Sequence, residues 1–188
     1  PIDGVRSVMV DHQGRVWVSA TGGLFRSLTP APFAAKVEWE QQFPPGTQKD
    51  EAFRKAIEDA KGQIWVAGDQ GLARWSKGVW TRLTKDHDGL RSDFVAHLAE
   101  DSDGSIWVGY RDAFGVSRIS FDDAKPRVTN YTTANGLRSD KTLFLTFDNV
   151  GRLWIGTDHG VDVFDRAFSG NAAWRHFGRF DGLIWDDC

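Results

Sequence analysis

The chain has 188 residues, 40% hydrophobic and 26% charged, which suits a single domain with a sizeable core. A formal net charge of −3 gives neither the basic field that nucleic acid needs nor a polybasic membrane patch, so no nucleic-acid partner is expected. No apolar run approaches the ~18 residues of a membrane span, and the one cysteine, Cys188, leaves no internal disulfide and no CxxC metal site.

In chain order, the first segments read as strands: VRSVMVD, RVWVSA, GLFRSL and VEWEQQF, within residues 3–43. The second set is KAIED, QIWVAG, GLARWS and VWTRLT, within 51–84. The stretch DEAFRKAIEDA (50–60) has helical composition, but Lys55–Asp59 falls in register with first strands elsewhere, so a strand is expected there. The third set is VAHLAED, SIWVGY, GVSRISF and RVTNYTT, within 93–133. The fourth is TLFLTFD, RLWIGT, GVDVFD and AWRHFG, within 140–178, and residues 181–188 read as the start of a further unit.

One frame, D-x-x-G-x-[VIL]-W-[VI], recurs in all four sets. It holds Asp11, Gly14 and Trp17; Asp59, Gly62 and Trp65; Asp101, Gly104 and Trp107; and Asp148, Gly151 and Trp154. The Trp residues are 48, 42 and 47 residues apart, the period of β-propeller blades with four strands each. The expected fold is therefore all-β: a partial β-propeller of about four blades, each of four antiparallel strands. Asp and Gly in the frame make the turn between strands one and two. Its Trp is expected to fill the space between blades, contributing roughly 2–3 kcal/mol of burial. These twelve frame residues are structural on this reading.

Strands of a blade alternate in direction, so the loop from strand two to three lies at the same end as the connection into the next blade. Ligand-binding residues are expected at this connection end. Its motifs are DGLRSD (88–93), NGLRSD (135–140) and DGLIWD (181–186). An acid stands eight before each frame Asp: Asp3, Glu51, Asp93 and Asp140, with Asp186 as a fifth. These acids either form a polar rim or bond local backbone as turn formers. TQKDE replaces GLRSD in the second repeat.

The step from the frame Trp to the next repeat Gly is six residues to Gly23, Gly71 and Gly160, but eight to Gly115. The extra residues lie in GYRDAFG, and loop variation on a fixed scaffold commonly carries binding. The candidate ligand contacts are Asp69, Gln70, Arg91, Asp93, Tyr110, Arg111, Asp112, Arg138, Asp140, Asp158 and His159, with Tyr110 and Phe114 offering stacking surfaces.

Catalytic and metal signatures are missing. The Asp-box of sialidases needs Asp five before the Trp, where this chain has His12, Ala60, Ser102 or Asn149. DSDG lacks the spaced acids and terminal Glu of a calcium loop. The five histidines (12, 87, 97, 159, 176) show no HxH or HxxxH spacing. No nucleophile elbow, P-loop or dinucleotide fingerprint occurs. No metal, cofactor or catalytic residue is assigned.

The phrases RLWIGTDHGV, DGLRSDFVAHLAEDSDGSIWVG and NGLRSDKTLFLTFDNVGRLWIGT closely resemble the two-component regulator propeller repeat. The resemblance covers 5–188, with WVSAT and WVAGD departing from WIGT in the first two repeats. It implies a ring of seven blades and the extracytoplasmic, periplasmic-side sensor of a bacterial hybrid histidine kinase. The rest of such a polypeptide would hold further blades, a β-sandwich, a membrane helix and a kinase or diguanylate cyclase. It also implies an oligosaccharide or other small solute as ligand. On this reading the chain is a piece of a longer protein, not itself an enzyme, that controls a downstream kinase. Uncovered blade sides would favour a homodimer in isolation. The competing readings are a propeller scaffold for protein interactions and a propeller lyase or hydrolase using His159 or Arg111.

Overall fold

Alternating β-branched and aromatic residues, broken by Gly-containing turns, fold each repeat into one antiparallel sheet whose strands neighbour in sequence order. The computed structural model describes residues 2–30, 36–122, 125–168 and 170–184. The first sheet holds β1 (Val5–Val10), β2 (Val16–Ala20), β3 (Gly23–Ser27) and β4 (Trp39–Gln42). The second holds β5 (Phe53–Glu58), β6 (Ile64–Gly68), β7 (Gly71–Ser76) and β8 (Val79–Leu83). A single helical turn, α1 (Lys85–Asp88), precedes the third sheet of β9 (Val95–Glu100), β10 (Ile106–Tyr110), β11 (Val116–Asp122) and β12 (Lys125–Tyr131). The fourth holds β13 (Thr142–Phe147), β14 (Leu153–Thr157), β15 (Gly160–Phe164) and β16 (Trp174–Phe177). This is the all-β, four-strand meander of propeller blades. The helix-like stretch at 50–60 forms strand β5: pairing with β6 buries Phe53 and Ala56, which a lone helix could not match.

The frame explains itself atom by atom. The Asp11 carboxylate accepts the N–H groups of Gln13 (3.0 Å) and Arg15 (2.9 Å) with one oxygen and Trp17 Nε1 (2.9 Å) with the other. Asp59 repeats this with Lys61, Gln63 and Trp65 Nε1 (2.8 Å), and Asp148 with Val150, Arg152 and Trp154 Nε1 (2.8 Å). One carboxylate thus closes the turn and fixes the rotamer of the large ring that follows. Gly stands at the fourth position because the chain passes through φ near +80° there (+77°, +73°, +80° and +84°), where a Cβ is strained.

The chain divides into two units, Pro1–Thr84 with Asp93–Ala96, and Lys85–Ser92 with His97–Cys188. In the first, Trp17 is fully buried and meets Trp75 at 6.1 Å and Trp80 at 6.2 Å, a cross-strand pair on β7 and β8. Leu24, Phe53, Ile64 and Val66 complete that core. In the second, Trp107 meets Phe164 at 5.4 Å and shares a core with Trp174, its cross-strand partner on β16. Each of these two Trp rings is thus closed by an aromatic pair on strands three and four of the following blade.

Trp154 departs from this pattern. It is only partly buried, stacks on Phe177 of its own sheet (5.9 Å, 10°) and lies under the Arg152 guanidinium. A cavity of about 280 Å³ opens beside it, walled by Val163, Asp165, Phe168 and Arg175. Residues 185–188 of the expected further repeat, with Asp186 and Cys188, lie outside the described residues.

Candidate functional site

The connection end of each blade is built around one cross-strand pair: Phe25–Gln41, Ala73–Arg82, Ser117–Asn130 and Asp162–His176. The strand-four member is polar every time. In blades two to four the pair grips the connection that enters its own blade. Arg82 forms a forked ion pair with Glu51 (2.7 and 3.2 Å) and reaches Thr47 Oγ1 at 3.3 Å; both side chains of the ion pair are buried. Asn130 accepts from Ser117 Oγ (2.5 Å), Ser117 meets the Tyr110 hydroxyl (2.7 Å), and that hydroxyl accepts the Arg91 N–H (2.9 Å). In the fourth blade the Asp162 carboxylate accepts the Arg138 N–H (2.7 Å) and meets His176 Nδ1 (2.6 Å). Three different chemistries therefore hold the same backbone segment.

Three of the repeated acids share one main-chain contact. The carbonyls of Glu51, Asp93 and Asp140 accept N–H groups of Gly22 (3.0 Å), Gly71 (2.7 Å) and Gly115 (2.8 Å) from the preceding two-to-three loop. Gly71 and Gly115 sit so close to the carbonyls of Leu83 and Tyr131 that a side chain there would collide with backbone. The Asp140 carboxylate caps the Thr133 N–H at 2.7 Å. Turn chemistry thus accounts for this acid.

The candidate contacts separate into two sets. Tyr110, expected as a stacking surface, is fully buried: the two-residue insertion turns its ring inward, where its hydroxyl bridges Arg91 and Ser117. Phe114 packs edge-on against it (6.3 Å). Asp69 is held by Arg54 at 2.7 Å, and the Gln70 carbonyl accepts from Arg82 at 3.0 Å. The side chains of Arg91, Arg111, Asp112, Arg138 and His159 are exposed. Asp158 is half-buried, accepting from Ser139 Oγ (2.5 Å) and meeting His159 Nδ1 (2.9 Å). Those two hydrogen bonds, Ser139 first, hold its carboxyl below the usual carboxylate range. The solvent-facing set offers three guanidinium groups, an imidazole and two carboxylates, and suits hydroxyl- or carboxylate-bearing solutes. Among the described residues, no group of three or more His, Cys, Asp or Glu could hold a metal ion.

Sequence reasoning missed Arg82, Glu51 as its partner, Asp162 and His176. Aligning fourth strands on the residue opposite Gly+2 would have exposed a column of Gln41, Arg82, Asn130 and His176.

The opposite end is architectural, with one exception. In the third blade Trp107 Nε1 is buried without a partner. Asp101 turns instead to Arg166 (3.0 Å), which also reaches Asp103 (3.0 Å) and Ser102 Oγ (2.5 Å), while Asp103 takes the Ser105 N–H at 2.9 Å. The Asp101–Trp107 hydrogen bond expected from the frame is absent because Arg166 outcompetes the indole for that carboxylate.

Residues 89–112 match the family described as Two component regulator propeller. No curated protein sequence matches the chain. The extracellular domain assigned to the hybrid two component system BT3049 of B. thetaiotaomicron superposes with a TM-score of 0.72 at 21% identity, covering 97% of this chain and 24% of that one. The corresponding domain of BT4673 from the same organism gives 0.68 at 19%, covering 89% and 24%. Virginiamycin B lyase from Staphylococcus aureus gives 0.66 at 17%, covering 93% and 55%. The chain spans about a quarter of the two extracellular domains. At these identities the likeness establishes the propeller fold.

Proposed function

We propose that this chain, whose residues 89–112 match the two component regulator propeller family, is a member of that family and part of a ligand-sensing propeller on the extracytoplasmic, periplasmic side of a bacterial membrane protein. It binds a polar solute, an oligosaccharide in the first instance, through the connection ends of its blades and so biases a downstream kinase. The observation that carries this reading is the contrast between the two blade ends. The frame Asp carboxylates of blades one, two and four are spent on repeated bonds to turn amides and the Trp indole, whereas Arg91, Arg111, Asp112, Arg138 and His159 are exposed at the connection end, where the 91 and 138 backbone is anchored from within the blade. The extracellular sensor domains among the structural neighbours support it. No helix among the described residues is long and apolar enough to cross a membrane, so the anchor and kinase would belong to other parts of the polypeptide.

Calorimetric titration of the purified chain with a panel of oligosaccharides tests this. At least one should bind saturably, and Arg111→Ala combined with Arg138→Ala should weaken it tenfold or more. Equal affinity in the variant would move the site elsewhere.

The open side of Trp154 fits a further blade of the same polypeptide, presenting an aromatic pair as β7–β8 and β15–β16 do. A longer version of the protein should bury Trp154 and shield it from iodide quenching. Unchanged quenching on extension would refute the larger ring.

A second reading, a propeller lyase or hydrolase, has one observation in its favour. Blade four holds two His–Asp pairs, His176–Asp162 and His159–Asp158. Turnover abolished by His176→Ala or His159→Ala, with the fold intact, would bring it forward.

A further inference from the structure

The connections into the second and fourth blades have the same length, so they align residue for residue: Gln41 with Asn130, Gln48 with Leu137, and Glu51 with Asp140. Leu137 is buried, packs in the core with Trp107 and Val116, and lies against Gly115 of the two-to-three loop. Leu90 stands in the same place before Asp93 and is buried too. The apolar side chain acts as a plug under the connection. In the connection into the second blade the plug is Gln48, which is exposed.

A cavity of about 190 Å³ opens where the plug is missing, against Gly22 of the two-to-three loop. Phe53, nearly fully buried, forms part of its lining and stands where the smaller Val95 and Thr142 stand in other blades, so it takes up part of the lost volume. Phe43, 65% exposed, contributes an aromatic ring. The remaining lining is Gln41, Thr47, Gln48 and Lys49: two amides, a hydroxyl and an ammonium, with no carboxylate. Neither acid of the connection lines the cavity: Asp50, next to Lys49 in the chain, is exposed, and Glu51 is paired with Arg82. The volume equals about six waters at ~30 Å³ each, the size of one six-membered ring with its substituents.

We propose that this cavity is a binding site for a compact, ring-sized hydroxy acid. The carboxylate pairs with Lys49, hydroxyls bond the Gln41 and Gln48 amides, and the C–H face of the ring lies on Phe43. An uncharged sugar would keep the stacking and lose the ion pair. A fully apolar ring would leave both amides unsatisfied. The site rests on the sensor reading only for its purpose; its occupancy is a property of the first unit alone.

The test is an amide chemical-shift titration of the whole chain with galacturonate, quinate and galactose. Galacturonate and quinate share the recognised chemistry but differ in origin, and whichever binds more tightly identifies a glycan acid or a free cyclic acid as the source. Both should shift residues 41–49 saturably and bind at least tenfold more tightly than galactose. Gln48→Leu, which restores the plug seen in the other connections, should abolish binding while leaving the spectrum folded. Lys49→Ala should erase the preference for the acids over galactose. Undiminished binding in Gln48→Leu, equal affinity for galactose, or no saturable shift at the solubility limit would each overturn the site. If these probes fail while an oligosaccharide binds through Arg111 and Arg138, the cavity is refuted and the sensor reading stands. If nothing binds anywhere, both fail.

Discussion

Replacing Arg82 with Met should destabilise the chain by roughly 3–5 kcal/mol, because it strands the Glu51 carboxylate in a site with almost no access to water. The guanidinium also bonds the Gln70 carbonyl and Thr47 Oγ1, so one substitution releases the connection and the two-to-three loop together. The double variant Glu51→Leu with Arg82→Met removes both charges and should be less destabilised than Arg82→Met alone. Urea melts of wild type, both singles and the double would measure the coupling. A cost below about 1 kcal/mol for Arg82→Met would mean the pair behaves as a surface ion pair and does not anchor the connection.

Replacing the frame Asp should have unequal effects in different blades. Asp59→Ala leaves the Trp65 indole N–H and turn amides unsatisfied, at about 1–3 kcal/mol for each buried donor, so a loss of about 3 kcal/mol is expected. Asp101→Ala should cost about 1–2 kcal/mol less, since Trp107 Nε1 already lacks a partner and Asp103 takes the Ser105 amide. Arg166 would retain Asp103. Equal losses in the two variants would indicate that the third frame keeps the Asp–Trp hydrogen bond in solution.

The propeller architecture was legible because it is written in repeated positions. The frame places a turn former, a positive-φ Gly and a large ring at fixed spacing, and the register of that frame correctly overruled the helical composition of 50–60. What could not be read were contacts that join unlike residues across strands. Nothing in GYRDAFG says that Tyr110 turns inward; that depends on Ser117 being small enough to receive its hydroxyl. Glu51 stands in the column of repeated acids, yet its extra methylene carries the carboxylate to Arg82. Asp162 and His176 fall on strands with no motif of their own and meet only through β15–β16 pairing. The deviation TQKDE was visible as an irregularity, but that it removes a buried plug became apparent only once Leu137 was seen in the core.

The central claim is that this propeller reads solutes with the connection ends of its blades while the frame turns serve architecture alone. The most direct test is to map amide shift changes on the chain at saturation with the tightest-binding oligosaccharide from the titration panel. The account predicts changes clustered at 91, 111–112, 138 and 158–159, with 11–15, 59–63 and 148–152 unmoved. Changes confined to the frame turns, or spread along the open side of Trp154, would contradict it.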